Sequence, residues 1–105
     1  MPSSFAERVY EKLREVPRGS VTTYQELAKA LGIKSSQAVG QALRRNPYAP
    51  EVPCHRVVRS DGGIGGFQGC FEGSPVDRKI RLLREEGVEI EDGKVKGFEK
   101  KRYVF

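Results

Sequence analysis

Apolar side chains recur at helical intervals along the first sixteen residues. Phe5, Val9, Leu13 and Val16 stand four, four and three apart, on one face of a helix. Ser4 and Glu7 form a capping box at its start, and Pro17 and Gly19 stop it. The extended stretch Gly19-Ser20-Val21 leads into a second box, Thr23-Tyr24-Gln25-Glu26. Leu27, Ala28 and Leu31 line the apolar side of this second helix, and Gly32 suits the left-handed position that ends it. A third helix is predicted from Ser35 or Ser36 through Arg44 and Arg45 to Asn46-Pro47. Two short helices around a glycine-containing turn, the second rich in small and basic residues, read as a helix-turn-helix over about 22–46.

The periodicity then breaks. Residues 47–73 carry prolines at 47, 50 and 53, and six of the twelve glycines fall between 62 and 73. Val57-Val58 reads as a short strand within this predicted loop. The run from Gly62 to Gly69 lacks the lysine and hydroxyl of a Walker phosphate loop, so its glycines point to tight turns or close backbone approach. Ser74-Pro75 opens a fourth helix, with Val76, Ile80 and Leu83 inward and Gly87 at its end. Val88 to Val95, around Asp92-Gly93, fits a small hairpin, and the tail ending Tyr103-Val104-Phe105 is expected to pack on the body. The expectation is one domain over residues 1–105, mainly α with small β elements.

Composition narrows the class. A chain of 105 residues with 37% hydrophobic and 31% charged side chains suits a single globular domain. No apolar run approaches the roughly 20 residues of a membrane helix, and the N-terminus lacks the apolar centre of a signal peptide. Two cysteines and one histidine cannot complete a four-ligand zinc site, so no metal and no cofactor is expected, and both thiols, Cys54 and Cys70, are free in a reducing cytosol or nucleus. The net charge is +5, and residues 16–60, with seven basic side chains against two acidic ones, account for all of it. That concentration fits a phosphate-binding face, although solubility alone explains it too.

The reactive chemistry lies at Pro53-Cys54-His55-Arg56. A thiol reacts as thiolate and needs a group to take its proton, and His55, the single histidine, adjoins Cys54. Neighbours on a flat strand face opposite ways, so their cooperation requires a bend or a bridging water. A carboxylate behind the imidazole would fix its tautomer, with Glu85 and Glu86 as the candidates. A buried thiol beside a structural histidine is the competing reading of the pair.

Pro53-Cys54-His55-Arg56-Val57-Val58 resembles the active-site signature of the O6-alkylguanine-DNA alkyltransferases. Further segments follow in order. Val21 to Ala28 resembles the family's first helix-turn-helix element, and Ala38 to Pro47 its recognition helix and asparagine turn. Gly63 to Phe67 resembles the substrate loop, and Lys79 through Leu82-Leu83 to Glu86-Gly87 the last helix. The similarity spans about residues 5–88.

The resemblance implies a winged-helix-like helix-turn-helix domain of the alkyltransferase C-terminal type. It also implies a suicide repair reaction on double-stranded DNA bound through the minor groove, in cytoplasm, nucleoid or nucleus. A flipped O6-alkylguanine, with O4-alkylthymine as a further candidate, gives its alkyl group to a cysteine. Carried over by position, Cys54 is the acceptor, His55 its base through a water and Glu86 the imidazole's orienter. Asn46 holds the turn, and Tyr24 rotates the phosphate and donates to the leaving guanine. Thr23, Tyr24, Gln37, Ala38, Gly40, Gln41, Arg44 and Arg45 contact DNA, with Ala38, Gly40 and Ala42 as the small surface in the groove. Tyr24, Val57, Phe67, Gln68 and Gly69 line the base pocket. Three departures from the family are expected to matter: Gln37 stands for the arginine that fills the vacated stack, Phe67 for a tyrosine, and the reading is of the catalytic, DNA-binding part without the N-terminal domain common in full-length members. A monomer is expected, with that domain as a separate chain or excision-repair proteins as further partners. Alkyltransferase-like proteins, which bind alkylated DNA without repairing it, are the alternative. They usually carry tryptophan where this chain has Cys54.

Overall fold

The computed structural model describes residues 5–45, 52–64 and 74–105, with the side chains of Ser74 and Pro75 outside the description. The elements run α1 (Phe5–Leu13), β1 (Thr22–Thr23), α2 (Tyr24–Ala30), α3 (Ser36–Arg44), a 3-10 turn (Cys54–Arg56), β2 (Val57–Val58), α4 (Ser74–Glu85), β3 (Ile90–Glu91), β4 (Lys94–Val95) and α5 (Phe98–Lys101). This is the mainly helical architecture with small strands that the pattern predicts. The proposed cap Ser4 and the turn at Asn46-Pro47 lie outside the described residues.

Helix boundaries follow local chemistry. Helix α1 stops at Leu13, one turn before Val16, and the chain tightens through Glu15 N–H to Lys12 O (3.1 Å) and Val16 N–H to Leu13 O (3.0 Å). Pro17 disfavours helical geometry at the residue before it, so the turn narrows while Val16 still reaches the core. Thr23 and Ser35 cap α2 and α3, their hydroxyl oxygens accepting N–H bonds from Glu26 (3.0 Å) and Ala38 (3.1 Å). Gly32 (φ +74°) and Gly87 (φ +86°) end α2 and α4 in the left-handed region. After each, the next residue's N–H closes back to the helix, Ile33 to Ala28 O and Val88 to Leu83 O, both at 2.9 Å.

Two apolar clusters meet along β2. Val57 belongs with Val9, Leu13, Leu27 and Val39 from the three N-terminal helices, and Val58 with Leu83, Val88 and Val95 from α4 and the hairpin. Adjacent strand residues point to opposite faces, so a two-residue strand joins both cores. β2 pairs in parallel with β1, Thr22 opposite Val57 and Thr23 opposite Val58. The tail extends that sheet: Val21 N–H donates to Lys101 O (2.9 Å) and Tyr103 N–H to Val21 O (2.7 Å). Phe105 ends under Lys12, whose Nζ lies 5.6 Å from the ring centre, so the tail packs as expected.

The hairpin turns at Asp92-Gly93 (φ +52° and +74°), the primed geometry its sequence favours. It pairs with the chain just before the glycine-rich run: Ile64 N–H donates to Gly93 O and Val95 N–H to Gly62 O, each at 2.9 Å. Gly62 is needed there twice over. Its φ is +86°, and a Cβ would lie 3.1 Å from Phe98 Cγ. Gly62→Ala should lower the urea-unfolding free energy by about 1–2 kcal/mol. The loss should shrink in a Phe98→Ala background, and an equal loss in both would show that the ring is not the obstacle.

Candidate active site

The sequence Pro-Cys-His-Arg forms a tight turn because the proline-led segment closes on itself. Cys54 N–H donates to Val52 O (2.8 Å) and Arg56 N–H to Pro53 O (2.9 Å). That turn supplies the bend which cooperation between two adjacent side chains would require. Cys54 and His55 are both buried, at 9% and 2% exposure, on the seam between the two clusters.

His55 Nε2 lies 2.9 Å from Glu86 Oε2. An ionised carboxylate only accepts, so Nε2 carries the hydrogen and Nδ1 is the nitrogen that takes up a proton. Of the two glutamates weighed in the sequence, the structure selects Glu86. Glu85 is exposed, and its backbone oxygen accepts from Arg18 Nη2 at 2.8 Å. Glu86 is also gripped by Arg56, Nε to Oε1 at 2.9 Å and Nη2 to Oε2 at 2.8 Å. The third guanidinium nitrogen reaches Val16 O at 2.8 Å. Burial pushes the Glu86 carboxyl upward, but the Arg56 and His55 hydrogen bonds outweigh it and hold it below 4.5. Burial lowers His55 below 6.5, against the pull of Glu86 and with the Arg56 and Lys79 charges adding to the fall. The imidazole is therefore a neutral base at neutral pH.

Lys79 was not singled out as a site residue, yet it is fully buried. Its Nζ donates to Val57 O (2.7 Å) and Ile64 O (2.6 Å). Burial pushes its ammonium down to about 7, with the Cys54 charge opposing. The signal existed in the pattern: Lys79 sits three after Val76 and four before Leu83, inside the apolar stripe of α4. A lysine there must find acceptors.

Tyr24 opens α2 and packs against the helical cluster, its ring 3.9 Å from where a Cβ on Gly40 would stand. Burial, and then the Cys54 charge, raise its phenol above 10.0, so it stays protonated and able to donate. On α3, Gln37, Gln41, Arg44 and Arg45 are exposed, and Ala38 and Gly40 half-buried. Gln37, Gly40, Gln41 and Arg44 form one stripe at helical spacing. Two expectations need correction. Thr23 is buried and its hydroxyl holds the α2 cap, so its side chain offers no outer surface. Ala42 is also buried, under the Tyr10 hydroxyl that donates to its carbonyl at 2.7 Å, because it lies on the inward face of α3. Val57 is buried with its carbonyl on Lys79. Asn46, Phe67, Gln68, Gly69 and Cys70 lie outside the described residues.

Fold and site together define a helix-turn-helix domain with a buried thiol on a tight turn next to a carboxylate-bonded histidine. Residues 4–88 match the family described as 6-O-methylguanine DNA methyltransferase, DNA binding domain, and the chain belongs to that family. The methylated-DNA–protein-cysteine methyltransferase of Thermococcus kodakarensis is 52% identical over 85 residues, 80% of this chain and 45% of that protein. A protein of Thermus thermophilus named DNA base-flipping protein is 49% identical over 80 residues, 76% of this chain and 50% of that one. The crystal structure of S. pombe Atl1 with damaged DNA containing O6-carboxymethylguanine matches at 32% identity and a TM-score of 0.83, over 100% of both chains. This chain spans about half the length of the curated relatives it matches. Among the described residues, no helix is long and apolar enough to cross a membrane.

The site makes acid destabilising. The unfolded imidazole titrates near ~6.5 and the folded one lower, so in that window the unfolded chain binds a proton that the folded site refuses. Glu86 acts the same way further down, its contribution being lost as pH falls through its depressed value. The melting temperature should therefore fall between pH 7 and 5, with a shallower slope in His55→Gln. An unchanged slope would remove His55 as the cause.

Proposed function

We propose that the chain takes the alkyl group from O6 of an alkylated guanine in duplex DNA and keeps it on Cys54, one transfer per molecule. The observation carrying this reading is a thiol on a tight turn beside an imidazole whose Nε2 is bonded, at 2.9 Å, to a buried carboxylate. The Sγ–H proton passes through a water to Nδ1 of His55. Sulfur attacks the alkyl carbon, the S–C bond forms as the C–O6 bond breaks, and the electron pair leaves with guanine. Tyr24 donates a proton to the departing base, and the proton gained by His55 restores the phenol through solvent. A stacked base cannot be attacked at O6, so the nucleotide is flipped first. The duplex lies with its minor groove on α3, where Ala38 and Gly40 permit close approach and Gln37, Gln41, Arg44 and Arg45 reach bases and phosphates. The family resemblance assigns Asn46 to the turn after α3, and Phe67, Gln68 and Gly69 to the base pocket. A single copy of the chain acts alone.

The likeness to S. pombe Atl1 over the whole of both chains favours a second reading, a sensor that binds alkylated DNA and leaves it for excision. Mass spectrometry after incubation with a duplex holding one O6-methylguanine separates the two. One methyl on the peptide bearing Cys54, absent with undamaged DNA, is the expected result. Tight binding without mass gain would replace transfer by sensing. Cys54→Ala should abolish transfer and keep affinity for the alkylated duplex.

Gln37→Arg tests the interface. A longer, charged side chain in the vacated stack should tighten binding and speed transfer, and affinity should fall steeply with salt as phosphate contacts release counterions. A flat salt response would overturn the basic-face assignment.

A further inference from the structure

Arg56 is half-hidden at the joint between the 3-10 turn and α4, and the transfer chemistry as described does not use it. Its guanidinium faces both oxygens of Glu86 as a fork, at 2.9 and 2.8 Å, and its remaining nitrogen fixes it to Val16 O at 2.8 Å. The oxygen it takes through Nη2, Oε2, is the same one that receives His55 Nε2. A carboxylate shared in this way cannot act on the imidazole as a bare negative charge. Its geometry still orients the ring, while its charge is already balanced by the guanidinium that grips both oxygens.

We infer that Arg56 is a positioning residue for alkyl transfer: by gripping Glu86 it lets the carboxylate aim His55 without turning the imidazole into a resident cation. The inference rests on the transferase reading for its purpose, but the device itself is a property of the free protein. An imidazole paired with an unbalanced buried carboxylate would hold a proton at neutral pH and could not accept one from Cys54. Among the described residues, the ionisable groups around His55 are Cys54 and Arg56 on its own turn, Lys79 from α4 and Glu86 just after it, and Tyr24 from α2 beside the thiol. Lys79 also disfavours the imidazolium, but it donates to Val57 O and Ile64 O and does not touch Glu86 in those bonds. Arg56 is thus the cation that decides how much of the Glu86 charge reaches the ring.

The chain has one histidine, so NMR titration of the imidazole in the full-length free protein reads His55 alone. In the wild type the midpoint should lie below the ordinary 6.5. Arg56→Gln and Arg56→Met should raise it by about one pH unit, the size of change expected when a neighbouring opposite charge is uncovered. Arg56→Lys, which keeps the charge but not the fork, should raise it less and decides the matter if the neutral variants do not fold. Glu86→Gln should lower it. A midpoint unchanged or lowered in the Arg56 variants, with Glu86→Gln still lowering it, would overturn the inference.

The transfer rate supplies a second readout. Arg56→Gln should lose most of its rate at pH 6 and recover towards wild type at pH 8.5, whereas a merely structural role would lower it equally at both. If the wild type transfers nothing, the transferase reading fails, while the NMR midpoints still report on Arg56.

Discussion

Glu86 is the carboxylate on which the site is assembled. It follows the last turn of α4, where Gly87 adopts a left-handed conformation and the chain folds back onto Leu83 O. That ending aims the carboxylate at the 3-10 turn, and Arg56 and His55 close on it from there. Because Arg56 also holds Val16 O, the same cluster ties the segment after α1, the 3-10 turn and the end of α4 together. An ion pair this enclosed contributes geometry more than stability, since the desolvation of its charges offsets much of their attraction.

The thiol's surroundings repeat the theme on the other side of β2. Lys79 reaches from inside the apolar stripe of α4 to the carbonyls of Val57 and Ile64. Ile64 is held from both directions, its carbonyl by Lys79 and its N–H by Gly93 of the hairpin. The segment leading into the glycine-rich run is thereby fixed to the strand that follows Cys54. The Cys54 turn and the loop root share one frame, the alignment that the proposed displacement would need.

Much of this was legible in advance. The caps at Thr23 and Ser35, the glycine stops at 32 and 87 and the Asp92-Gly93 turn all depend on neighbours within a few residues. Cys54 and His55 were legible as an adjacent thiol and base, whereas chemistry alone left Glu85 and Glu86 both open as the carboxylate. Thr23 and Ala42 were misjudged for one reason: residue type does not say which face of a short helix turns inward. Arg56 and Lys79 escaped because a charged side chain reads as surface until its acceptors are known.

By itself, the sequence determined the caps and glycine stops of α2, α3 and α4, that a basic segment holds a thiol beside the single histidine, and which residue types could serve it. Those properties come from local propensity, periodicity and elementary reactivity. Only the tertiary structure decided that Glu86 rather than Glu85 meets the imidazole, that Arg56 shares that carboxylate, and that a lysine is enclosed beside the thiol. These depend on contacts between residues about thirty positions apart, such as His55 and Glu86. Their strength depends on burial, and burial exists only once the two cores have closed on β2.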